Sequence, residues 1–213
     1  MAWRLSRDKF MNIEEVRRLR KTLEDRANAD LAKGRVSGVK AWMVVDLALS
    51  TGLRVSEIAN LKVGDLELKG AEPLLWVTSG KGRKKKRSTK KAEKEPVHLN
   101  KALVRHLKDY LDWKLLIGEI TSPDAFVFVT KRKGKYTTRA LQVMFKEACR
   151  RAGLSAAHSI HSCRHSYGTY LFQKTKNLRL VQKELRHRNI QTTTVYADVT
   201  PEEAANSVNG IWD

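Results

Sequence analysis

Apolar positions recur with a helical period in the first part of the chain. Ile13, Val16, Leu19 and Leu23 lie three and four apart behind Asn12-Ile-Glu-Glu15, whose Asn and Glu are the residues of a capped helix start. The spacing predicts an amphipathic first helix. Residues 33–38, Lys-Gly-Arg-Val-Ser-Gly, break it. Residues 39–50 are then mostly apolar, the pattern of a buried helix, with Gly52 placed to close it. A short helix over 56–61 follows.

Between residues 65 and 99 the pattern changes to short β-prone pieces at 66–68, 74–78 and 97–99, with turn residues between them, which predicts a small antiparallel sheet. Helical spacing returns at Asn100 with Leu103, Leu107 and Leu111. A short apolar run, 126–129, precedes a helix over 138–151 that Gly153 terminates. Three closely spaced helical segments are expected at 161–173, 177–186 and from 194 onward, the last holding Tyr196 in its first turn. Thr200-Pro201-Glu202-Glu203 has the form of one more capped helix. The expected fold class is mixed α/β, mainly α-helical with one small antiparallel β-sheet. No repeat or Pro-rich linker appears. The organisation expected is an N-terminal arm (1–9), one domain (10–199) and a C-terminal helical tail (200–213), which could pack on a neighbouring protomer.

Composition adds a partner to this picture. Of 213 residues, 41% are hydrophobic, enough for a packed core. Lys and Arg number 42 against 23 Asp and Glu, a formal charge of +19. Such an excess repels itself in a compact state, and a polyanion offsets it, so nucleic acid is the first expected partner. An acidic membrane is the second, but Met1-Ala2-Trp3-Arg4 carries no acylation motif and the longest apolar stretch, 41–49, is interrupted by Asp46. No membrane partner is expected. Cys149 and Cys163 lack the spacing of a disulfide framework or zinc site, which suits a reducing cytoplasm. In residues 81–94, nine of fourteen are Lys or Arg and only Glu93 is acidic, yet the rest of the chain keeps +11 of the +19. The basic character is therefore spread over the body, as a surface tracking phosphates requires.

Five segments concentrate residues able to handle a phosphodiester. Arg54, in Thr51-Gly-Leu-Arg-Val-Ser-Glu57, stands where a chain reversal meets a helix N-terminus, a setting that favours anions. Lys81 lies between Gly80 and Gly82 at the start of the basic run. His161 and Arg164 are three apart, on one helix face. His187, in Leu185-Arg-His-Arg-Asn189, closes the next helix, and Tyr196 follows nine residues later. Taken singly, each has an ordinary structural reading: an exposed Arg, a hairpin turn, a capping or core His, a dipole partner, a half-buried Tyr. Those readings do not account for the ordered set on a basic chain.

That set, Thr51-Gly-Leu-Arg54-Val-Ser-Glu57-Ile-Ala-Asn-Leu61, Gly80-Lys81-Gly82, His161-x-x-Arg164-His165, Leu185-x-His187 and Thr193-Thr194-x-Tyr196, resembles the catalytic motifs of the tyrosine recombinases, or phage integrases. The resemblance runs from about residue 5 to 199. It implies the tyrosine recombinase catalytic-domain fold and site-specific cutting and rejoining of double-stranded DNA, without metal, nucleotide or other cofactor. By that resemblance Tyr196 attacks the scissile phosphate to give a 3′-phosphotyrosyl link. Arg54 and Arg164 hold the non-bridging oxygens, Lys81 protonates the leaving oxygen, His161 assists proton transfer, His187 donates a hydrogen bond to the phosphate, and Glu57 positions the site. Arg83, Lys84, Lys85, Lys86, Arg87 and Arg188 are candidate DNA contacts. The family also implies a homotetramer on two DNA sites and admits an accessory DNA-bending protein. Two features depart from the usual pattern. Leu185-Arg186-His187 replaces Leu-Gly-His, and only a short arm precedes the catalytic region, which fits either a short member resembling the single-domain fimbrial switch invertases or a catalytic fragment starting from an introduced Met.

Elementary chemistry agrees with these roles. The transition state of diester cleavage carries more negative charge than the diester, so two fixed guanidinium forks stabilise it preferentially. A phenol of pKa about 10 needs nearby cations or a base to attack at neutral pH. A Lys can protonate the leaving oxygen if neighbouring cations lower its pKa, and Lys84, Lys85 and Lys86 are alternatives to Lys81. Two other functions are open at this point: a type IB topoisomerase-like relaxation of DNA, and a basic architectural DNA-binding protein derived from a recombinase.

Overall fold

In the computed structural model, which describes residues 9–78, 94–187 and 189–197, a helix hydrophobic on nearly every side organises the rest. This is α2 (Ser37–Thr51), with ten of its fifteen residues buried; α1 (Ile13–Ala32) packs along it. The α1 start follows its sequence pattern: Asn12 Oδ1 accepts from the Glu15 amide at 2.8 Å and Glu15 Oε2 accepts from the Asn12 amide at 2.8 Å. Asp46, the one acid within the apolar stretch, is buried and satisfied by Arg20 from α1 and by His106 Nδ1 at 2.9 Å. Gly52 closes α2 in the left-handed region at φ +61°.

After α3 (Val55–Asn60), a three-stranded antiparallel sheet forms in the order β1 (Leu66–Glu67), β2 (Leu74–Thr78), β3 (Lys94–His98). Leu75 pairs with Leu66 on one side and Val97 on the other, so alternate residues Leu75 and Val77 turn into the core. The third strand begins earlier than its sequence pattern, at Lys94, because Pro96 and Glu95 pair with Trp76 and Val77 despite weak β-propensity. The segment joining β2 to β3 lies outside the described residues.

α4 (Lys101–Leu116) is capped by Asn100 Oδ1, α5 (Thr138–Arg151) by Thr137, and α7 (Leu178–Glu184) by Asn177. In α4 the positions that reach the interior are Leu103, Val104, Leu107, Tyr110 and Lys114; Leu111 is only partly buried. Lys114 is inside because its Nζ donates to Glu119 Oε2 at 3.1 Å and to the Phe126 and Val127 carbonyls at 3.2 and 3.0 Å. Lys40 of α2 reaches the same Glu119 and the Val129 carbonyl. Two buried lysines thus fasten the chain over 119–129, which forms isolated bridges and no full strand.

α6 (Ile160–Thr175) lies against α2, α7 packs on α6, and α8 (Gln191–Thr194) packs on α7. Here the structure corrects one expectation: Tyr196 does not open a helix. The last helix among the described residues ends at Thr194, and Tyr196 sits in the turn after it. Its ring joins Val181 and Leu185 in a small apolar cluster separate from the main core. Residues 198–213 lie outside the described residues.

Candidate active site

Three chain reversals meet at α6. Arg54 is the N-cap of α3, and its backbone amide donates to Glu57 Oε2 at 2.7 Å while its Nη1 donates to Glu57 Oε1 at 2.8 Å. The carboxylate therefore seats both ends of the same residue. The Arg54 side chain stays 42% exposed, able to reach a ligand at the surface.

Arg164 is held differently. It is 2% exposed, the largest of the fully buried side chains among the described residues, and its Nη1 donates to the Gly52 carbonyl at 2.6 Å while Nη2 donates to the Leu185 carbonyl. Those carbonyls belong to the end of α2 and the end of α7, so one guanidinium on α6 ties three elements together and has its plane fixed by them. Burial, then the Arg54 and Arg186 charges, bring its pKa down to about 10, so it remains protonated at neutral pH. Gly52 permits this closeness, since a Cβ there would lie 2.8 Å from both Leu185 and Tyr167.

Around this pair stand three histidines and Tyr196. His165 Nδ1 lies 3.1 Å from the Tyr196 hydroxyl. His161, one turn earlier on α6, meets the His165 ring edge-on at 4.7 Å between centroids. His187 stacks near-parallel to the Tyr196 ring at 6.3 Å, and its Nδ1 is 2.9 Å from the buried Thr193 hydroxyl, which leaves Nε2 for the site. Gly168 forms the floor under Tyr196. A Cβ at that position would fall 2.8 Å from Cζ of the ring.

The electrostatics follow from burial beside cations. Desolvation, then His161 and Arg164, push His165 down to about 4, and desolvation with Arg164 and Arg54 takes His187 to about 3. His161 is lowered too, by desolvation and then Arg164 and Arg54. Burial raises the Tyr196 phenol to about 12, only partly opposed by Arg164. In the ligand-free protein the three rings are thus neutral at pH 7 and the phenol protonated. A bound anion opposes each of the histidine shifts.

Of the residues singled out from sequence, Arg54, Glu57, His161, Arg164, His187 and Tyr196 converge on this region. Lys81, Arg83, Lys84, Lys85, Lys86, Arg87 and Arg188 lie outside the described residues. Two participants were not anticipated. His165, four residues after His161 and hence on the same helix face, is the histidine that reaches the hydroxyl. Arg186 takes a left-handed φ of +54°, the conformation that explains a Gly preference there, and sends its side chain to Glu57, Nη2 to Oε2 at 2.9 Å. One further tie, His98 Nδ1 to Glu184 Oε1 at 2.7 Å, joins the end of β3 to the end of α7.

A small antiparallel sheet beside a helical body, with these side chains gathered at one end of α6, is the fold of the tyrosine recombinase catalytic domain. The solved structure of the XerH site-specific recombinase, bound to difH substrate in a pre-cleavage complex, superposes with a TM-score of 0.75 at 20% identity, covering 100% of this chain and 56% of that one. The chain belongs to the phage integrase family, whose model matches residues 9–203. It is 32% identical over 164 residues to a tyrosine recombinase of Thermosipho africanus, covering 77% of this chain and 51% of the relative. It is 35% identical over 165 residues to the tyrosine recombinase XerD of Ralstonia nicotianae, covering 78% and 50%. The chain thus spans about half the length of the curated relatives it matches. Among the described residues no helix is long and apolar enough to cross a membrane.

Proposed function

We propose that this chain is the catalytic domain of a site-specific DNA recombinase that cuts and rejoins double-stranded DNA through a 3′-phosphotyrosyl intermediate. The observation that carries the reading is the Tyr196 hydroxyl, held by His165 in a pocket that also receives Arg54, Arg164 and His187. A buried phenol beside two fixed guanidinium groups and neutral imidazoles suits one reaction class, in-line attack on a phosphodiester.

In the proposed mechanism the scissile phosphate sits between Arg54 and Arg164. Arg164 offers donors whose plane is set by two backbone carbonyls, so it needs no reorganisation as charge grows on the phosphorus oxygens. His187, oriented by Thr193, donates from Nε2 to a non-bridging oxygen. His165 accepts the phenolic proton as Tyr196 Oη attacks, and His161 lies close enough to relay it. The phosphate anion raises both histidines toward the range in which they are useful bases. The Tyr196–phosphorus bond forms as the 5′-bridging P–O bond breaks, and Lys81 protonates the departing 5′-oxygen. A 5′-hydroxyl from a second duplex reverses the step, so the phosphodiester's free energy is retained without a nucleotide.

Further reading rests on the family. The relatives' fold is seen on DNA in the XerH pre-cleavage complex, and the dispersed +19 fits a chain that tracks backbone phosphates, with Arg83, Lys84, Lys85, Lys86, Arg87 and Arg188 as contacts. Assembly as a homotetramer on two sites, with a DNA-bending helper and a cytoplasmic location, belongs to the same proposal.

The test uses nicked suicide duplexes tiled across the DNA that flanks the chain's own gene. Wild type should leave an SDS-resistant protein–DNA adduct, and Tyr196→Phe should leave none while still binding. No adduct from wild type, or an equal adduct from Tyr196→Phe, refutes the reading. DNA binding that is indifferent to the hydroxyl, with no adduct from either protein, would identify an architectural protein instead.

A further inference from the structure

Arg186 is an unusual residue in three independent respects. Its backbone is left-handed at φ +54°, a region costly for any residue with a Cβ. Its side chain is 3% exposed, which places a guanidinium inside the protein. Its Nε is buried with no hydrogen-bond partner among the described residues. A glycine would remove all three penalties, so the side chain must do something that a glycine cannot.

What it does is visible at Glu57. Oε2 of that carboxylate accepts the Arg54 backbone N–H at 2.7 Å and Arg186 Nη2 at 2.9 Å, while Oε1 accepts Arg54 Nη1 at 2.8 Å. Arg186 Nη1 also donates to the Glu184 carbonyl at 2.9 Å, which anchors it to the end of α7. The carboxylate is therefore stretched between two arginines. Arg and carboxylate otherwise prefer a two-pronged pairing, in which two N–H groups of the fork meet both oxygens. With Oε2 claimed by Arg186 and a backbone amide, Glu57 can engage only one prong of Arg54. Among the described residues the other donors of Arg54 have no partner and can meet a phosphate.

We propose that Arg186 is a positioning residue for the phosphate clamp, holding Glu57 so that it orients Arg54 without consuming its fork. The inference rests on the function proposed above and adds to it a residue that touches neither phosphate nor nucleophile. It also sets the local charge: three guanidinium groups, Arg54, Arg164 and Arg186, surround one carboxylate and favour the growing charge of the transition state. The field of Arg186 is the strongest charge holding the Glu57 carboxyl below its ordinary range, against the opposing effect of burial.

The deciding variant is Arg186→Gly, which relieves the backbone and deletes the guanidinium together. Adduct formation is measured on the tiled suicide duplexes, per folded molecule, from pH 4.5 to 8, for wild type, Arg186→Gly, Arg186→Lys and the same substitutions in a Glu57→Gln background. Arg186→Gly should form adduct about 10²-fold more slowly, the usual consequence of misplacing a reacting group by about 1 Å. Its acid limb should move to higher pH as the Glu57 carboxyl and the His187 ring both lose the nearby Arg186 charge, and Arg186→Lys should fall between. In the Glu57→Gln background the same change should cost much less, since the two residues act as a unit. Wild-type rates in Arg186→Gly overturn the proposal and leave the proposed function standing. A loss with an unmoved acid limb and no coupling to Glu57 marks a structural role only and also overturns it. Absence of any wild-type adduct overturns the proposed function itself, and this inference with it.

Discussion

A methyl group added at residue 168 would arrive 2.8 Å from Cζ and 3.0 Å from Cε1 of Tyr196, and 2.9 Å from Cδ1 of Leu185. Carbon atoms pack at about 3.5–4.0 Å, so the ring must withdraw by roughly 0.5–1 Å. α6 is fixed along its length by α2 and by the Arg164 ties, whereas Tyr196 belongs to a small cluster at the chain's last described turn. The ring, not the helix, will give way. The energetic effects on folding oppose one another. Gly→Ala in a helix gains about 1 kcal/mol, and overpacking costs about 1–3 kcal/mol, so the net change should lie between about 0 and 2 kcal/mol of destabilisation. The effect on chemistry has no such offset: moving the nucleophile by this much lowers the rate about 10²-fold. Gly168→Ala should therefore remain folded at 25 °C by urea denaturation, bind duplex DNA as wild type does, and form covalent adduct about two orders of magnitude more slowly. Adduct formation within a few-fold of wild type would refute the placement of Tyr196. So would a loss that merely follows the unfolded fraction.

Other expectations follow from the same geometry. Arg164→Ala should cost about 3–5 kcal/mol in urea melts, because it strands the buried Gly52 and Leu185 carbonyls, whereas Arg54→Ala, at a half-exposed position, should cost less than about 1 kcal/mol. Both should abolish adduct formation. Glu119→Ala leaves two buried ammonium groups without their shared carboxylate and should destabilise by about 3–5 kcal/mol, with unchanged cleavage per folded molecule. For pH, His165 and His187 bind protons less readily when folded (about 4 and about 3) than when unfolded, near 6.5. The stability they confer is complete above about pH 6.5 and is lost as pH falls toward 4. With solvent screening at these partly exposed rings allowed for, urea melts should show a decline of about 2–4 kcal/mol between pH 7 and 4.5. A flat profile there would contradict the neutral-histidine site. Because bound phosphate raises the same histidines, DNA binding at pH 5 to 6 should take up protons, which calorimetry in buffers of different ionisation heat measures.

Local rules carried much of the architecture. Asn12, Asn100 and Asn177 cap the helices their positions suggested, and β2 occupies residues 74–78 because the chain there is β-prone and bounded by turns. The gathering of Arg54, Glu57, His161, Arg164, His187 and Tyr196 was legible as an ordered motif set. What stayed hidden depended on contacts distant in sequence. Nothing near Lys40 announces that it will be buried, since its carboxylate is 79 residues away. Arg186 read as a departure from glycine, and its partner lies 129 residues earlier. Tyr196 read as part of a helix's first turn, yet the turn that holds it is set by packing on Gly168 and Leu185. His165 was quoted within the motif without a role, because helical spacing shows which face a side chain is on and not which hydroxyl it meets.

The two carbonyls that seat Arg164 have a consequence for when this protein can act. Gly52, Arg164 and Leu185 are separated by 112 and 21 positions in the chain, and the guanidinium is oriented only after the ends of α2 and α7 have both arrived at α6. A partly folded chain, however basic, lacks a seated clamp. The strand breakage proposed above therefore requires the ends of α2 and α7 to be assembled on α6 at the same time, and a local opening at any of the three would remove it.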